Sequence, residues 1–524
     1  MAAPAGLAGA PREPATGGTL TDSVRLDQSR EAVGPAPKPR RPVRLVGWLA
    51  GICIGAALLI MIGASLVRQD WMTPPIPMPR VGPPWQLTHV RVSAELVTIA
   101  LWVAAALAFC GLVAGLLTAR WGASGPLRLI FIAAAVTVAV FTVLPPVGST
   151  DALDYAAYGR TLLLGHNPYL VTPIYLRLTE PYFGQSVPER WQFAVSLYGP
   201  AATIEQYVAA RLGGESIARI VFWLKLCNVA GFAAVAVVLD RVLRSRPASR
   251  LRAHLLWTIN PLLLWDLIAA GHVDVLAAAA GVVGLLIIGR QFADGRSWRP
   301  AIWRALAAGA LIGIAADIKI DYLLFGVALA WALRRSARAL TAAGVGAFVV
   351  LVPTYAWLGK PAFQALFNRR DKTSEDSFWK SADLTDSKYL IVFAVLLFCA
   401  MAVLLLWRLP AGDALRPAIR PAVAMSLAFL LVWPYQLPWY DAMIICVLVL
   451  YPATWLDWLV LARLAAATIA NMPGDPNGPP SPQLYRADIE LVHGMGPVVL
   501  LAVWGAVIAL AVVGHWGQRA NLAS

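Results

Sequence analysis

Residues 94–118 read AELVTIALWVAAALAFCGLVAGLLT, with one charge, Glu95, near their start. A helix satisfies all its backbone polar groups internally, which lets a segment this apolar lie in lipid. The hydrocarbon core of a bilayer is about 30 Å thick and takes about 20 apolar residues to cross, so this stretch predicts a transmembrane helix. Similar runs lie near 45–67, 127–147, 217–239, 253–271, 273–289, 303–318, 320–333, 339–358, 388–407, 421–435 and 495–514. The apolar region 437–470 reads either as one crossing plus an interfacial helix or as a tight hairpin of two. The expected fold is therefore an all-α, polytopic transmembrane helix bundle of 13 or 14 crossings, with the side of the C-terminus open.

Composition agrees with this. The 524 residues are 59% hydrophobic and 14% charged, whereas a soluble domain carries about 25% charged residues. Too little polar surface exists to cover three or four soluble domains. The chain has 43 Lys and Arg against 29 Asp and Glu, a net +14. The positive-inside rule accounts for this excess without nucleic acid. With the basic N-terminal segment inside, the loops 119–128, 240–252, 290–304, 333–340 and 407–420 hold 17 Lys and Arg in 60 residues. The two long outer loops, 148–216 and 359–387, hold nine in 98. The expected location is the plasma membrane, with the N-terminus cytoplasmic.

The expected organisation is a disordered cytoplasmic tail at 1–44, a transmembrane domain at 45–515 and a short tail at 516–524. The first long apolar run begins near Leu45, too late for a cleavable secretory signal. Cys53, Cys110, Cys227, Cys399 and Cys446 all sit in apolar runs and form no CxxC or Cys/His cluster. They read as buried small hydrophobes rather than disulfides or zinc ligands. No phosphate-binding G-x-x-x-x-G-K-[ST] loop, strand-linked G-x-G-x-x-G or H-E-x-x-H occurs. A nucleotide-driven pump and a zinc protease are thereby disfavoured, and neither cofactor nor metal is expected.

Loop 148–216 is too long for a plain connection. Its start, Ser149-Thr150-Asp151, is a helix-cap signal, and the residues after it read as helical. Asp151, Asp154, Tyr155 and Tyr158 share one face at spacings of three and four. Ala152, Ala156 and Leu163 take the other, as in a helix lying along a membrane surface. A second amphipathic stretch, 191–211, contains Tyr198-Gly199-Pro200.

Charged groups within membrane segments are functional candidates by default. Lys225 and Asp266 share a depth, so an ion pair between them is geometrically allowed; it reads as a structural brace or as part of a coupling relay with Asp317. His272 and Asp274 sit at the outer mouth, either as a helix-end cap or as ligands. Asp317, Lys319 and Asp321 bracket an outer turn, where Lys319 could also snorkel to the interface. Arg160, Arg177 and Arg190 read as loop arginines or as anion contacts. Trp433-Pro434-Tyr435-Gln436-Leu437-Pro438-Trp439-Tyr440, followed by Asp441, packs aromatics and prolines at the same face. Broken helix ends of that kind are tolerated beside protein or a water-filled cavity.

Outer-face carboxylates with scattered cations suit group transfer from a phosphate-linked lipid. A carboxylate can take the proton of an attacking hydroxyl. The departing phosphate needs positive charge more than protonation.

Asp151-x-x-x-Tyr155, Gly159-Arg160 and Gly165-His166-Asn167-Pro168-Tyr169 together resemble the first outer loop of the actinobacterial GT-C glycosyltransferases. The likeness is closest to polyprenol-phosphate-mannose-dependent α-mannosyltransferases that build lipomannan-type polymers. It continues in order through Tyr198-Gly199-Pro200, Asn260-Pro261, Gly271-His272-x-Asp274, Lys319 and Pro438-Trp439-Tyr440, over roughly 145–455. Ile318-Lys319-Ile320-Asp321 departs from the pattern and leaves Asp321 without a role.

The resemblance implies a multi-helix GT-C fold, an outer-face site and a catalytic Asp in the first outer loop, which falls on Asp151. The expected function is inverting transfer of mannose from polyprenyl-phosphate-mannose to a lipid-anchored glycan. Asp151 would be the general base, with Asp154 orienting the acceptor or substituting. Arg160 and Lys319 would hold the donor phosphate. Tyr155, Tyr158, Tyr198, His272, Asp274, Trp439 and Tyr440 would bind substrate or wall the site. An arabinosyl or other lipid-phosphate-sugar donor is the alternative within enzymes, and a transporter or flippase of a lipid-linked sugar is the alternative outside them.

Overall fold

The computed structural model of the chain describes residues 41–67, 92–289, 298–367, 389–413, 416–473 and 490–517, with a few isolated positions between them. Nearly all of the expected tail 1–44, much of loop 359–387 and residues 518–524 lie outside the described residues. Helix already begins at Arg41.

Every secondary-structure element among the described residues is helical. The main helices begin with α1 (Arg41–Leu66), α2 (Ala94–Arg120), α3 (Leu127–Val143), α4 (Asp151–Leu163), α5 (Pro200–Gly213) and α6 (Ile217–Val242). A bent pair follows, α7 (Pro247–Ala269) and α8 (Asp274–Ile287). The chain continues with α9 (Trp298–Ile318), α10 (Leu323–Leu333), α11 (Ala337–Leu358) and α12 (Leu390–Arg408). It ends with α13 (Ile419–Val432), α14 (Asp441–Leu448), α15 (Leu456–Ala470) and α16 (Gly496–Val513).

Six of the described helices, α1, α2, α6, α11, α12 and α16, are long and apolar enough to cross a membrane, and the bent pair makes up to seven. Four shorter apolar helices accompany them. The fold is the all-α polytopic bundle that the apolar runs predict. Among the described residues, however, six or seven spans rather than 13 or 14 have the length and composition of a full crossing, because several apolar runs form shorter helices.

Small residues set the closest helix contacts, because lipid supplies little hydrophobic drive and backbones gain by approaching. A Cβ on Gly309 of α9 would meet the carbonyl oxygen of Ala343 on α11, and one on Gly346 would meet that of Leu306. The two helices therefore pack nearly backbone to backbone.

Region 437–470 is a hairpin whose limbs are α14 and α15. Asp441 lies at one end, and the turn 449–455 lies at the other. There Arg252 donates to both carboxylate oxygens of Asp457 and to the carbonyls of Leu448, Val449 and Tyr451. The Trp455 amide bonds the Trp516 carbonyl at 3.1 Å, so the chain returns to this turn after α16.

The Lys225–Asp266 pair allowed by the sequence does not form. Lys225 instead donates to the carbonyls of Phe141, Leu144 and Pro145 at 2.9, 3.0 and 3.2 Å. These belong to the frayed end of α3, where carbonyls lack intrahelical partners and the helix dipole favours a cation. Asp266 accepts from the Thr468 hydroxyl at 2.9 Å. Shared depth was readable from sequence, but the rotation of each helix was not.

Candidate active site

The first helix of the large loop does not lie along a surface. Residues 152–161 of α4 are buried all round, with α5 and α6 packed against the helix. The backbone nitrogen of Asp151 bonds the Ser149 hydroxyl at 3.2 Å, so Ser149 rather than Thr150 supplies the side-chain partner at this helix start. Stretch 191–211 resolves into a short turn, Glu189–Trp191, and α5.

The side chain of Asp151 is 20% exposed, unlike the buried Asp154, Asp274 and Asp441. Tyr155, one turn along α4, places its hydroxyl 3.4 Å from Asp151 Oδ2. Tyr198 reaches the same oxygen at 3.3 Å, and the two phenol oxygens are 3.0 Å apart. Burial, followed by nearby charges including Asp151, pushes the Tyr155 hydroxyl well above its ordinary range. Burial does the same to Tyr198, with Tyr155 and Asp151 adding to it. Both phenols therefore stay protonated and can donate at any working pH.

His272 enters at the 117° bend between α7 and α8. Gly271 makes that bend at φ +84°, a conformation costly for other residues, and a Cβ there would stand 3.2 Å from Ala152 of α4. The turn thereby brings His272 against α4, with Nδ1 3.5 Å from Asp151 Oδ2. The imidazole is fully buried and stacks on Trp439 at 3.6 Å between centroids.

Asp274 accepts from the Lys319 ammonium at 2.5 Å, and Lys319 also lies 3.4 Å over the Tyr440 ring. This ammonium is thus held by a carboxylate and by an aromatic face, an arrangement that strengthens away from water. Tyr322 completes the corner by donating to the Asp274 carbonyl at 3.1 Å.

Asn260-Pro261 has a structural task. The Asn260 side chain accepts from the Leu262 amide and donates to the Leu256 carbonyl, restarting the helix after its break at Ile259.

Gly199 joins the two walls of the site. Its amide donates to the Ile318 carbonyl at 3.2 Å, so the Tyr198 segment runs directly against the end of α9 that leads to Lys319. Its φ is −70°, so the requirement is for space rather than for an unusual conformation. A Cβ would stand 1.8 Å from the carbonyl oxygen of Asp317, a backbone atom that cannot swing away. Gly199→Ala is expected to lower stability by about 1–3 kcal/mol through overpacking. It should also depress any activity of the site by tenfold or more, since Tyr198 and Lys319 are pushed apart. A detergent melting curve and a transfer assay on the same preparation check both effects.

Contacts thus link Asp151, Tyr155, Tyr198, His272, Asp274, Lys319, Trp439 and Tyr440. Arg160 is committed elsewhere: it pairs with Glu180 at 2.6 Å and packs over Phe183. Tyr158 donates to the Ala194 carbonyl, and Asp154 is buried within α4. Sequence reasoning missed Tyr322 and Arg463. Arg463 is buried within α15 and bonds Asp441, Gln436 and the Leu430 carbonyl, bracing the residues next to Tyr440. A lone arginine inside an apolar run was the available signal.

The family model described as Alpha-(1->6)-mannopyranosyltransferase, N-terminal domain, matches residues 48–335. The chain belongs to this family. The match takes in all the linked residues except Trp439 and Tyr440. Among curated relatives, a probable alpha-(1->6)-mannopyranosyltransferase of Mycolicibacterium smegmatis is 28% identical over 214 residues, covering 36% of this chain and 37% of that protein. Alpha-(1->6)-mannopyranosyltransferase B of Corynebacterium glutamicum is 27% identical over 220 residues, 40% of this chain and 36% of the relative. The chain spans little more than a third of the length of these relatives. No solved structure matches.

Proposed function

We propose that the protein is an inverting mannosyltransferase that moves mannose from polyprenyl-phosphate-mannose to a lipid-anchored glycan. The observation carrying this reading is the linked set of Asp151 with its two phenols and the Lys319–Asp274 pair, gathered at one end of a membrane bundle. Family membership supports mannose as the sugar. The distribution of basic loops supports placing this end on the outer face, where a lipid-borne donor is the natural source of activated sugar.

In the proposed reaction an acceptor hydroxyl gives its proton to Asp151 as its oxygen attacks the anomeric carbon from the side opposite the phosphate. The bond from that carbon to the phosphate oxygen breaks, and its electron pair leaves with the lipid phosphate. Lys319 stabilises the charge that gathers there. Trp439 and Tyr440 wall the site, Trp439 through its stack on His272 and Tyr440 through the ring face under Lys319.

Purified protein in liposomes, given radiolabelled polyprenyl-phosphate-mannose and a lipid glycan acceptor, should incorporate label into the glycan. A parallel reaction with the arabinosyl donor should give much less. Passage of intact donor across the bilayer without bond cleavage would instead make the protein a transporter.

A further inference from the structure

We infer that Tyr155, Tyr198 and His272 form a cage that fixes and tunes Asp151, and that they are positioning residues rather than sugar contacts. This deepens the proposed function and rests on Asp151 acting as its base.

Three different elements contribute to the cage. Tyr155 comes from α4, Tyr198 from the segment before α5, and His272 from the bend between α7 and α8. All three approach the same oxygen, Oδ2, at 3.4, 3.3 and 3.5 Å. Each phenol has one proton. The shortest contact of the set, 3.0 Å, joins the two phenol oxygens, so the natural order is Tyr155 to Tyr198 to Asp151. A donor chain of this kind makes its last link stronger through polarisation.

Each cage member is itself anchored. The Tyr155 and Tyr198 rings meet edge to face at 4.9 Å. The backbone carbonyl of Tyr198 accepts from the Tyr169 hydroxyl at 2.6 Å. The His272 ring plane is set by its stack on Trp439, leaving Nδ1 a small approach from hydrogen bonding. A side chain that merely touched sugar would not need such fixed support on the side of the base.

Of the other charged or titratable groups, Asp274 and Tyr440 interact electrostatically with this carboxylate, Lys319 and Asp321 act in turn on Asp274, and Asp154 follows on the same helix. Donors to an ionised carboxylate favour its charged form and hold its titration down. Loss of a charge-assisted donor is worth about one pH unit in the titration midpoint.

The test uses Tyr198→Phe, which keeps the ring and its packing, with Tyr155→Phe and His272→Phe as companions. Two readouts are needed: the acid limb of the kcat/KM profile, and the titration of the Asp151 carboxylate taken as the infrared difference between each variant and the same variant carrying Asp151→Asn. In Tyr198→Phe both midpoints should rise by about one unit, with KM nearly unchanged. Tyr155→Phe, one link further back, should give a smaller rise. A raised KM with neither midpoint moved would make these residues sugar contacts and overturn the inference. An infrared midpoint that rises while the acid limb stays fixed would uphold the cage and reject Asp151 as the base.

Discussion

Asp151→Asn should reduce sugar transfer by about 10²–10⁴-fold, the usual worth of a positioned general base. Protein level and melting behaviour should be unaffected. The amide matches the carboxylate in size, and its oxygen can still accept from Tyr198. The position is partly exposed, with two phenols at 3.4 and 3.3 Å and an imidazole nitrogen at 3.5 Å from one of its oxygens. Donor binding should persist, because Lys319 and Asp274 keep each other. Transfer by radiolabel, with donor binding measured separately, gives the comparison. Full activity in the Asn variant would remove Asp151 from the chemistry, and loss of binding alone would recast it as a substrate contact.

Arg252→Met should show the opposite pattern. Arg252 and Asp457 have side chains 5% and 2% exposed, and the guanidinium also holds three carbonyls. Removing one partner of a buried pair strands the other, at a cost of about 3–5 kcal/mol. This cluster lies at the far end of the α14–α15 hairpin from Asp441, so transfer per folded molecule should be near the wild-type value. Thermal denaturation in detergent and specific activity of the folded fraction separate the two effects. Replacing both partners with apolar residues should recover most of the loss, since the desolvation of two charges is then no longer required. A variant as stable as wild type would mean that water reaches Asp457.

The bundle was legible because the apolar runs have the length of a bilayer crossing, as in 94–118 and α2. The linked residues were legible in part because their segments all fall at the same end of successive helices. Asp151, Tyr198, His272, Lys319 and Trp439 come from distant stretches, yet depth alone places them in one layer. Depth is a one-dimensional property, and a sequence carries it well. Rotation about each helix axis is set by neighbours, which is why Lys225 turned to the end of α3 and not to Asp266. Arg160 illustrates the same limit: its partner, Glu180, sits in a loop whose path no periodicity predicts. The surface helix expected at 151–163 failed because loop 164–199 and α5 fold back over it.

The seam between Gly199 and Ile318 has a consequence for how this site can vary. The hydrogen bond joining the two walls is written entirely in main chain. The spacing between the carboxylate side, held through Tyr198, and the ammonium of Lys319 thus does not depend on the identity of any side chain at the junction, provided position 199 stays bare. Neighbouring side chains are free to diverge and reshape what the site accepts. The distance between its two charged tools is inherited from the backbone.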